Sequence, residues 1–375
     1  MKKFFVSALM LAFALSSVSA KDKKKTEDEG YVFTTVKELK ITPVKNQNRT
    51  GTCWCFSTLG FLESELLRMG KGEYDLSEMF IVSKNYKDKA EKFVRLHGEL
   101  NYAQGGSFED VLQAWKDYGI VPESVMNGLQ YGEDMHVHNE LESASRAYLD
   151  QIIKNPNRKL STAWKKGFDG IIDAYLGTAP EKFTYNGKEY TPKSFAAELG
   201  INPDDYVSLT SYTHHPFYSE FAIEVQDNWR WATSYNLPID ELMQVFENAI
   251  NTGYTIAWGA DVSEKGFTRN GIGVIPDIES MERSGSDQDR WLGLSTSEKD
   301  AEIKKMMEKP CKELEITQEM RQEAYDNYET TDDHGMQIYG IAKDQTGKKF
   351  YMIKNSWGTD NKYKGTWYIS ENFVK

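Results

Sequence analysis

Cysteine is scarce in this chain: three residues in 375, at positions 53, 55 and 311. That excludes a disulfide-stapled scaffold, and a chain of this length can build its core without staples. Basic charge is also short, with 45 Lys+Arg against 57 Asp+Glu and a net charge of −12. The deficit argues against a nucleic-acid binder that tracks phosphates and against a binder of anionic membranes; it reads as solubility. Internal repeats and low-complexity tracts are absent. The apolar run at the start, Phe4 to Leu15, falls short of the roughly 20 residues a membrane helix needs. It follows Lys2 and Lys3 and precedes Ser16-Ser17 and Val18-Ser19-Ala20, the pattern of a cleaved secretory signal over residues 1–20. No Cys follows the cut, so no membrane or lipid anchor is expected.

What remains is a folded globular composition, 39% hydrophobic and 13% aromatic. Removal of the signal leaves 43 basic and 57 acidic residues, a net charge of −14. Residues 21–34 read as a charged leader, and the expected location is secreted or periplasmic, in a bacterium. An odd cysteine count in a secreted chain flags a free thiol.

The pattern from Cys53 through Trp54, Phe56, Leu59, Leu62 and Leu66 is too densely apolar for a surface helix and predicts a buried one, stopped by Gly70 and Gly72. A second helix is expected from Phe108 to Tyr118, closing at Gly119. The middle, about 135–250, reads as mostly helical: Glu140 to Ile153, Trp164 to Leu176 and Asp240 to Thr252. Tyr254 to Trp258 reads as a strand and Ser297 to Tyr328 as a charged helical region. Met336 to Ala342, Lys349 to Lys354 and Gly365 to Ser370 are strand candidates. Helices first and strands last give an α+β fold of two facing lobes.

Cys53 opens the buried helix just after Gly51-Thr52, where unpaired N–H groups and the helix dipole favour an anion. With an imidazolium beside it, a thiol there is expected to have its pKa lowered to roughly 3.5–7.5. For a lone cysteine the competing reading is a small buried core residue. The surrounding motif favours the nucleophile. Pro43-Val44-Lys45-Asn46-Gln47 followed by Gly51-Thr52-Cys53-Trp54-Cys55-Phe56-Ser57 resembles the nucleophile segment of papain-like cysteine peptidases, with Gln47 six positions before Cys53. Asp333-His334-Gly335-Met336 resembles the family's histidine segment, and Lys354-Asn355-Ser356-Trp357-Gly358 its asparagine segment. Gly105-Gly106 before a helix resembles the substrate-binding glycines. The four occur in family order.

The resemblance implies a Cys53–His334–Asn355 triad, with an oxyanion hole from the Gln47 side chain and the Cys53 N–H, and with Trp357 shielding the His–Asn bond. It implies peptide substrates and no cofactor. Gly105 and Gly106 would let a substrate backbone approach, since neither has a Cβ. Phe108 reads equally well as a pocket lining and as helix packing.

Three departures narrow the branch. Thr50 and Ala103 stand where secreted members usually carry a disulfide. The distance from Cys53 to His334 is 281 residues, against about 130–150 in papain-like enzymes. Only 32 residues lie between the signal cleavage site and Cys53, too few for a long inhibitory pro-segment. Together with Ser208-Leu209-Thr210-Ser211-Tyr212-Thr213-His214-His215-Pro216, these resemble the bleomycin hydrolase and aminopeptidase C branch. That branch implies a papain-like two-lobed domain over 35–375, a helical insertion at about 135–250 and a ring-shaped homo-hexamer. Its aminopeptidases send a C-terminal tail into the cleft. This sequence ends at Lys375, soon after the last strand candidate, so exopeptidase, endopeptidase and amidase action all stay open, as does an inactive scaffold role. Gln47, Cys53, His334 and Asn355 are all present, which favours the enzyme.

The pairs His136/His138 and His214/His215 lack a companion Cys or Glu at ligand spacing, so no metal site is expected and a loop or interface role is. Cys55 lies about 200° round the helix from Cys53 and should be an inert core thiol. A Cys55–Cys311 bridge has no support in the sequence. The sequon Asn48-Arg49-Thr50 lies where a glycan would obstruct the cleft, and is expected to be unmodified.

Overall fold

The structure, a computed structural model, describes residues 30–278, 291 and 293–375. The signal over 1–20 and most of the leader over 21–34 lie outside the described residues. The chain enters on strand β1 (Thr34–Glu38) and builds a helical lobe from α1 (Cys53–Arg68), α2 (Glu78–Arg95) and α3 (Phe108–Tyr118). Helices α4 (Asn139–Ile153) and α5 (Ala163–Leu176) follow, then a hairpin of β2 (Phe183–Tyr185) and β3 (Lys188–Tyr190), and α6 (Pro192–Leu199). A small sheet of β4 (Leu209–Thr210), β5 (Glu220–Ala222) and β6 (Thr233–Asn236) leads to α7 (Ile239–Thr252). The second lobe holds β7 (Ile256–Ala260), β8 (Ile272–Gly273), α8 (Thr296–Met306), α9 (Gln318–Asp326), β9 (His334–Lys343), β10 (Lys349–Lys354) and β11 (Thr366–Ser370).

Twelve of the sixteen residues of α1 are buried, among them Leu59, Leu62 and Leu66 with no exposed surface. Each fully buried leucine contributes about 1.5–3 kcal/mol. One side of α1 joins the core of the helical lobe; the other lies against β9. A Cβ at Gly60 would stand 3.0 Å from Gln337 Oε1, so the helix comes close to the strand there. Buried Gln337 donates to Ser64 Oγ at 2.8 Å and Thr255 Oγ1 at 3.1 Å, satisfying polar groups in that contact.

The main sheet has the order β1-β9-β10-β11-β8, with β7 also on β9. One edge of β9 is shared: His334–Ile338 pair with β7 and Gly340–Lys343 with β1. All pairs are antiparallel except β11 with β8. Cys53 begins α1 and His334 begins β9, and the packing of those two elements brings their starting ends together.

Most expected elements form within one or two residues of the expected ends. The middle is a correction: 135–250 holds helices, but also five short strands in two sheets. Asn186 and Gly187 both take positive φ, 50° and 79°, as a tight hairpin turn requires. The charged region after 296 is two helices, broken at Pro310 and restarted at Thr317, whose side chain accepts from Met320 N–H. Helix α2 was not anticipated. Ser77 caps it by accepting from Phe80 N–H at 3.0 Å, and its buried face carries Met79, Phe80, Val82, Tyr86 and Phe93.

Candidate active site

Cys53 is half-buried on the wall of a cavity of about 750 Å³ that also touches His334, Gly106 and Phe108. The Gly335 N–H donates to the Cys53 sulfur, so the residue after His334 touches the thiol. A Cβ on Gly335 would meet Ser57 Oγ at 2.8 Å and Phe108 Cε1 at 3.0 Å; only glycine allows this approach. His334 Nε2 lies 2.8 Å from Asn355 Oδ1. A carbonyl oxygen only accepts, so Nε2 carries the proton and Nδ1 is left free to act as a base. Asn355 is almost wholly buried, and its Oδ1 also accepts the Ser356 N–H at 2.7 Å. Trp357 lies over His334 with centroids 4.7 Å apart, held by Phe267 and Trp367 at 5.9 and 5.6 Å.

Gln47 is buried and tied to the same loop. Its Oε1 accepts from Ser356 Oγ at 2.5 Å, and its Nε2 donates to the Thr50 carbonyl at 2.7 Å, leaving one amide proton. The Cys53 N–H opens α1, where helix N–H groups lack intrahelical acceptors.

Burial and nearby polar or charged groups act on both side chains, Cys53 and His334. Burial pushes the Cys53 thiol up to about 11; the Gly335 N–H bond opposes this, while the charges of Asp332 and Asp227 add to it. Burial also pulls His334 below its usual value, partly offset by the bond to Asn355.

Gly105 and Gly106 have a further reason to be glycine. A Cβ on Gly105 would run into the Asp227 carboxylate, and one on Gly106 would meet Asp110 Oδ2 at 2.8 Å and the Trp54 ring at 2.9 Å. It is the protein's own packing that demands glycine here. The loop is pinned where Ala103 replaces half of the family's usual disulfide. Buried Lys89 donates to the carbonyls of Ala103 and Gly105 at 3.0 and 2.5 Å. Gln104 Oε1 accepts the Gly51 N–H at 2.8 Å, and its carbonyl accepts Trp54 Nε1 at 3.0 Å. Phe108 does both things open to it, lining the cavity and packing on the helical core.

Asp227 and Asp332 are the residues missed from sequence. Both line the cavity. Asp332 precedes the Asp333-His334 pair, while Asp227 comes from the middle section and accepts from Asn101 Nδ2 at 3.1 Å. Neither has an ion-pair partner among the described residues. Enclosure in the cleft, then the charge of Asp227, then Asp333, push the Asp332 carboxyl up to about 7.

The other cysteines and histidines sort as follows. All three cysteines are free; Cys55 is fully buried and Cys311 half-buried. His136 and His138 are core residues, pulled by burial to about 4 and 3, hence neutral. The pair His214/His215 does have a companion carboxylate, Glu224, supplied from beyond β5. Asn48 Nδ2 is engaged with the His136 carbonyl at 3.0 Å.

A family model described as the Peptidase C1-like family matches residues 81–375, a span that holds His334 and Asn355 and begins after Cys53. Aminopeptidase G of Lactobacillus delbrueckii subsp. lactis is 22% identical over 92% of this chain and 80% of its own length. Aminopeptidase C of Streptococcus thermophilus is 22% identical over 96% of this chain and 83% of its own. Among solved structures, PepW from Lactobacillus rhamnosis HN001 superposes with a TM-score of 0.67 at 21% identity, over 94% of this chain and 81% of that one. The likeness establishes an α+β papain-like fold.

Proposed function

The chain belongs to the Peptidase C1-like family and is a cysteine-type peptidase, and from that premise we propose that it is an aminopeptidase acting on peptides through Cys53, His334 and Asn355. His334 Nδ1 takes the thiol proton as Cys53 Sγ attacks the scissile carbonyl carbon. The oxyanion is met by the Cys53 N–H and the remaining proton of Gln47 Nε2. The imidazolium then protonates the leaving amine, and a thioester remains. Water, deprotonated by the same imidazole, hydrolyses it and regenerates the thiol. Asn355 fixes the tautomer and Trp357 covers its bond to His334.

The observation that carries the exopeptidase reading is the pair Asp227 and Asp332, facing the cavity beside Cys53 with no cation paired to either. Two carboxylates that outnumber the one nearby cation, Lys89 acting on Asp227, favour an incoming ammonium, and the free end of a peptide carries one. An ammonium between them also cancels the two fields that hold the thiol pKa high, so a correct substrate helps to form its own nucleophile. An endopeptidase has no need of either carboxylate.

The test is cleavage-site mapping on matched peptides with free and acetylated N-termini. Stepwise release of N-terminal residues from the free peptide alone is expected; equal internal cleavage of both would replace the aminopeptidase with an endopeptidase. Cys53→Ala is expected to abolish hydrolysis, whereas Cys55→Ala and Cys311→Ala retain it. Activity persisting in the Cys53 variant would sink the mechanism. We also propose export: the pattern over residues 1–20 supports it, and a mature protein beginning at Lys21 is expected on N-terminal sequencing.

A further inference from the structure

We propose that His214, His215 and Glu224 form a binding site for a divalent transition ion of the zinc type, separate from the triad and lying in the middle section where it packs on α9. His214 Nε2 stands 3.1 Å from Glu224 Oε2, and His215 Nε2 2.9 Å from Glu224 Oε1; the ligand atoms of all three lie within 4.8 Å of one another. Ligands bound to zinc at about 2.0–2.1 Å in a tetrahedron stand roughly 3.3 Å apart, close to the two His–Glu distances of 3.1 and 2.9 Å. Two imidazoles and one carboxylate, with the remaining position open to water, are a donor set that zinc accepts and that magnesium and calcium do not prefer.

The geometry is held from behind. The backbone between β4 and β5 is locked by Asn236, fully buried, whose Nδ2 donates to the carbonyls of Tyr212, His215 and Pro216 at 2.8, 3.0 and 3.2 Å, while its Oδ1 accepts the Tyr212 N–H at 2.9 Å. His215 stacks on Phe221 at 4.1 Å, and His214 on Tyr325 at 5.6 Å with its edge toward Phe221. Both Nε2 atoms therefore aim at one point without waiting for a ligand. Behind His214, the Gln322 amide faces Nδ1, with Nε2 at 3.1 Å and Oε1 at 3.3 Å; in the metal-bound state, where Nδ1 carries the proton, Oε1 is the acceptor within reach. Gln322 is itself fixed, donating to Asp326 Oδ1 at 2.9 Å and accepting the Thr213 N–H at 2.6 Å.

The placement suggests a clamp. Gln322 and Tyr325 belong to α9, and Tyr325 and Tyr212 both line the catalytic cavity. An ion on the two histidines and Glu224 would fix the middle-section loop in the conformation that packs on Gln322 and Tyr325 of the helix leading into the Asp332–His334 wall. A simple His–Glu ion pair is the competing reading, and it predicts no affinity for metal.

The experiment is calorimetric titration of zinc chloride into the full chain carrying Cys53→Ala, so that the catalytic thiol offers no ligand, after chelator treatment. Saturable one-to-one binding is expected, lost in the near-isosteric Glu224→Gln and in His214→Ala, and weakened about 10- to 100-fold in Gln322→Leu. Circular dichroism of each variant checks folding, and Glu224→Gln serves if the alanine variant fails to fold. Absence of one-to-one binding, or binding unchanged in Glu224→Gln, overturns the site. Because the readout is affinity in a variant without the Cys53 thiol, the result is independent of whether the aminopeptidase reading stands.

Discussion

Cys53 and its two carboxylate neighbours make opposing demands on one side chain. Asp227 and Asp332 raise the thiol pKa and so slow the free enzyme, yet they are what would hold an ammonium. The Asp227→Asn/Asp332→Asn double variant should therefore react faster than wild type with iodoacetamide at neutral pH while losing kcat/KM on free peptides. A charge-assisted hydrogen bond is worth about 1.5–3 kcal/mol, so each single change should lower kcat/KM roughly 10- to 100-fold on free peptides and little on acetylated ones. Loss on both substrates alike would show that the carboxylates serve the fold and not the ammonium. The pH dependence has a definite sign. With the Asp332 carboxyl near 7, its anion accumulates as pH rises through neutrality, and kcat/KM on free peptides should climb there. It should fall again above roughly 8, where the α-amino group loses its proton. The rising limb should flatten in Asp332→Asn.

At the scale of elements, α1 against β9 brings Cys53 and His334 to one cavity, and α2 anchors the loop that carries Gly105 and Gly106. Lys89 on α2 holds the Ala103 and Gly105 carbonyls, doing in non-covalent form what a disulfide at Thr50 and Ala103 would do. Lys89→Met should free that loop, raising KM on peptides more than it lowers kcat, with Gly105–Gly106 amides exchanging faster in hydrogen-exchange mass spectrometry. An unchanged KM would remove Lys89 from substrate positioning. This is also where sequence reasoning had most to gain and lost some. The helix Phe108–Tyr118 was legible because its apolar period is clean and Gly119 ends it. Helix α2 was not, since its lysines hide a buried stripe that only a period-by-period count reveals. The β2–β3 hairpin carried a readable Asn186-Gly187 turn signal that the helical reading of the middle overrode. Strands of two or three residues, such as β4 and β5, carry too little periodicity to be seen.

Over the whole molecule, a buried charge network fastens the lobes beneath the site. Lys45 Nζ lies 2.7, 2.8 and 3.6 Å from Asp75, Glu78 and Glu63, while Thr42 donates to Glu63 at 2.5 Å and accepts from Lys354 Nζ at 2.9 Å. Lys354 adjoins Asn355, so the entry segment, α1, α2 and β10 meet under the triad. Lys45→Met should cost about 3–5 kcal/mol in urea unfolding by stranding Glu63 and Glu78, with part recovered in Lys45→Met/Glu78→Gln; a change below 1 kcal/mol would assign the network no role in stability. The sequence alone determined the family and singled out Gln47, Cys53, His334 and Asn355 as candidates, because each sits in a local motif that survives without knowledge of distant residues. It could not determine the burial of Cys53, the approach of Asp227 to Gly105 or the meeting of Glu224 with two histidines. Those depend on burial and on fields between residues far apart in the chain, and only the packing of the lobes brings such groups within reach of one another.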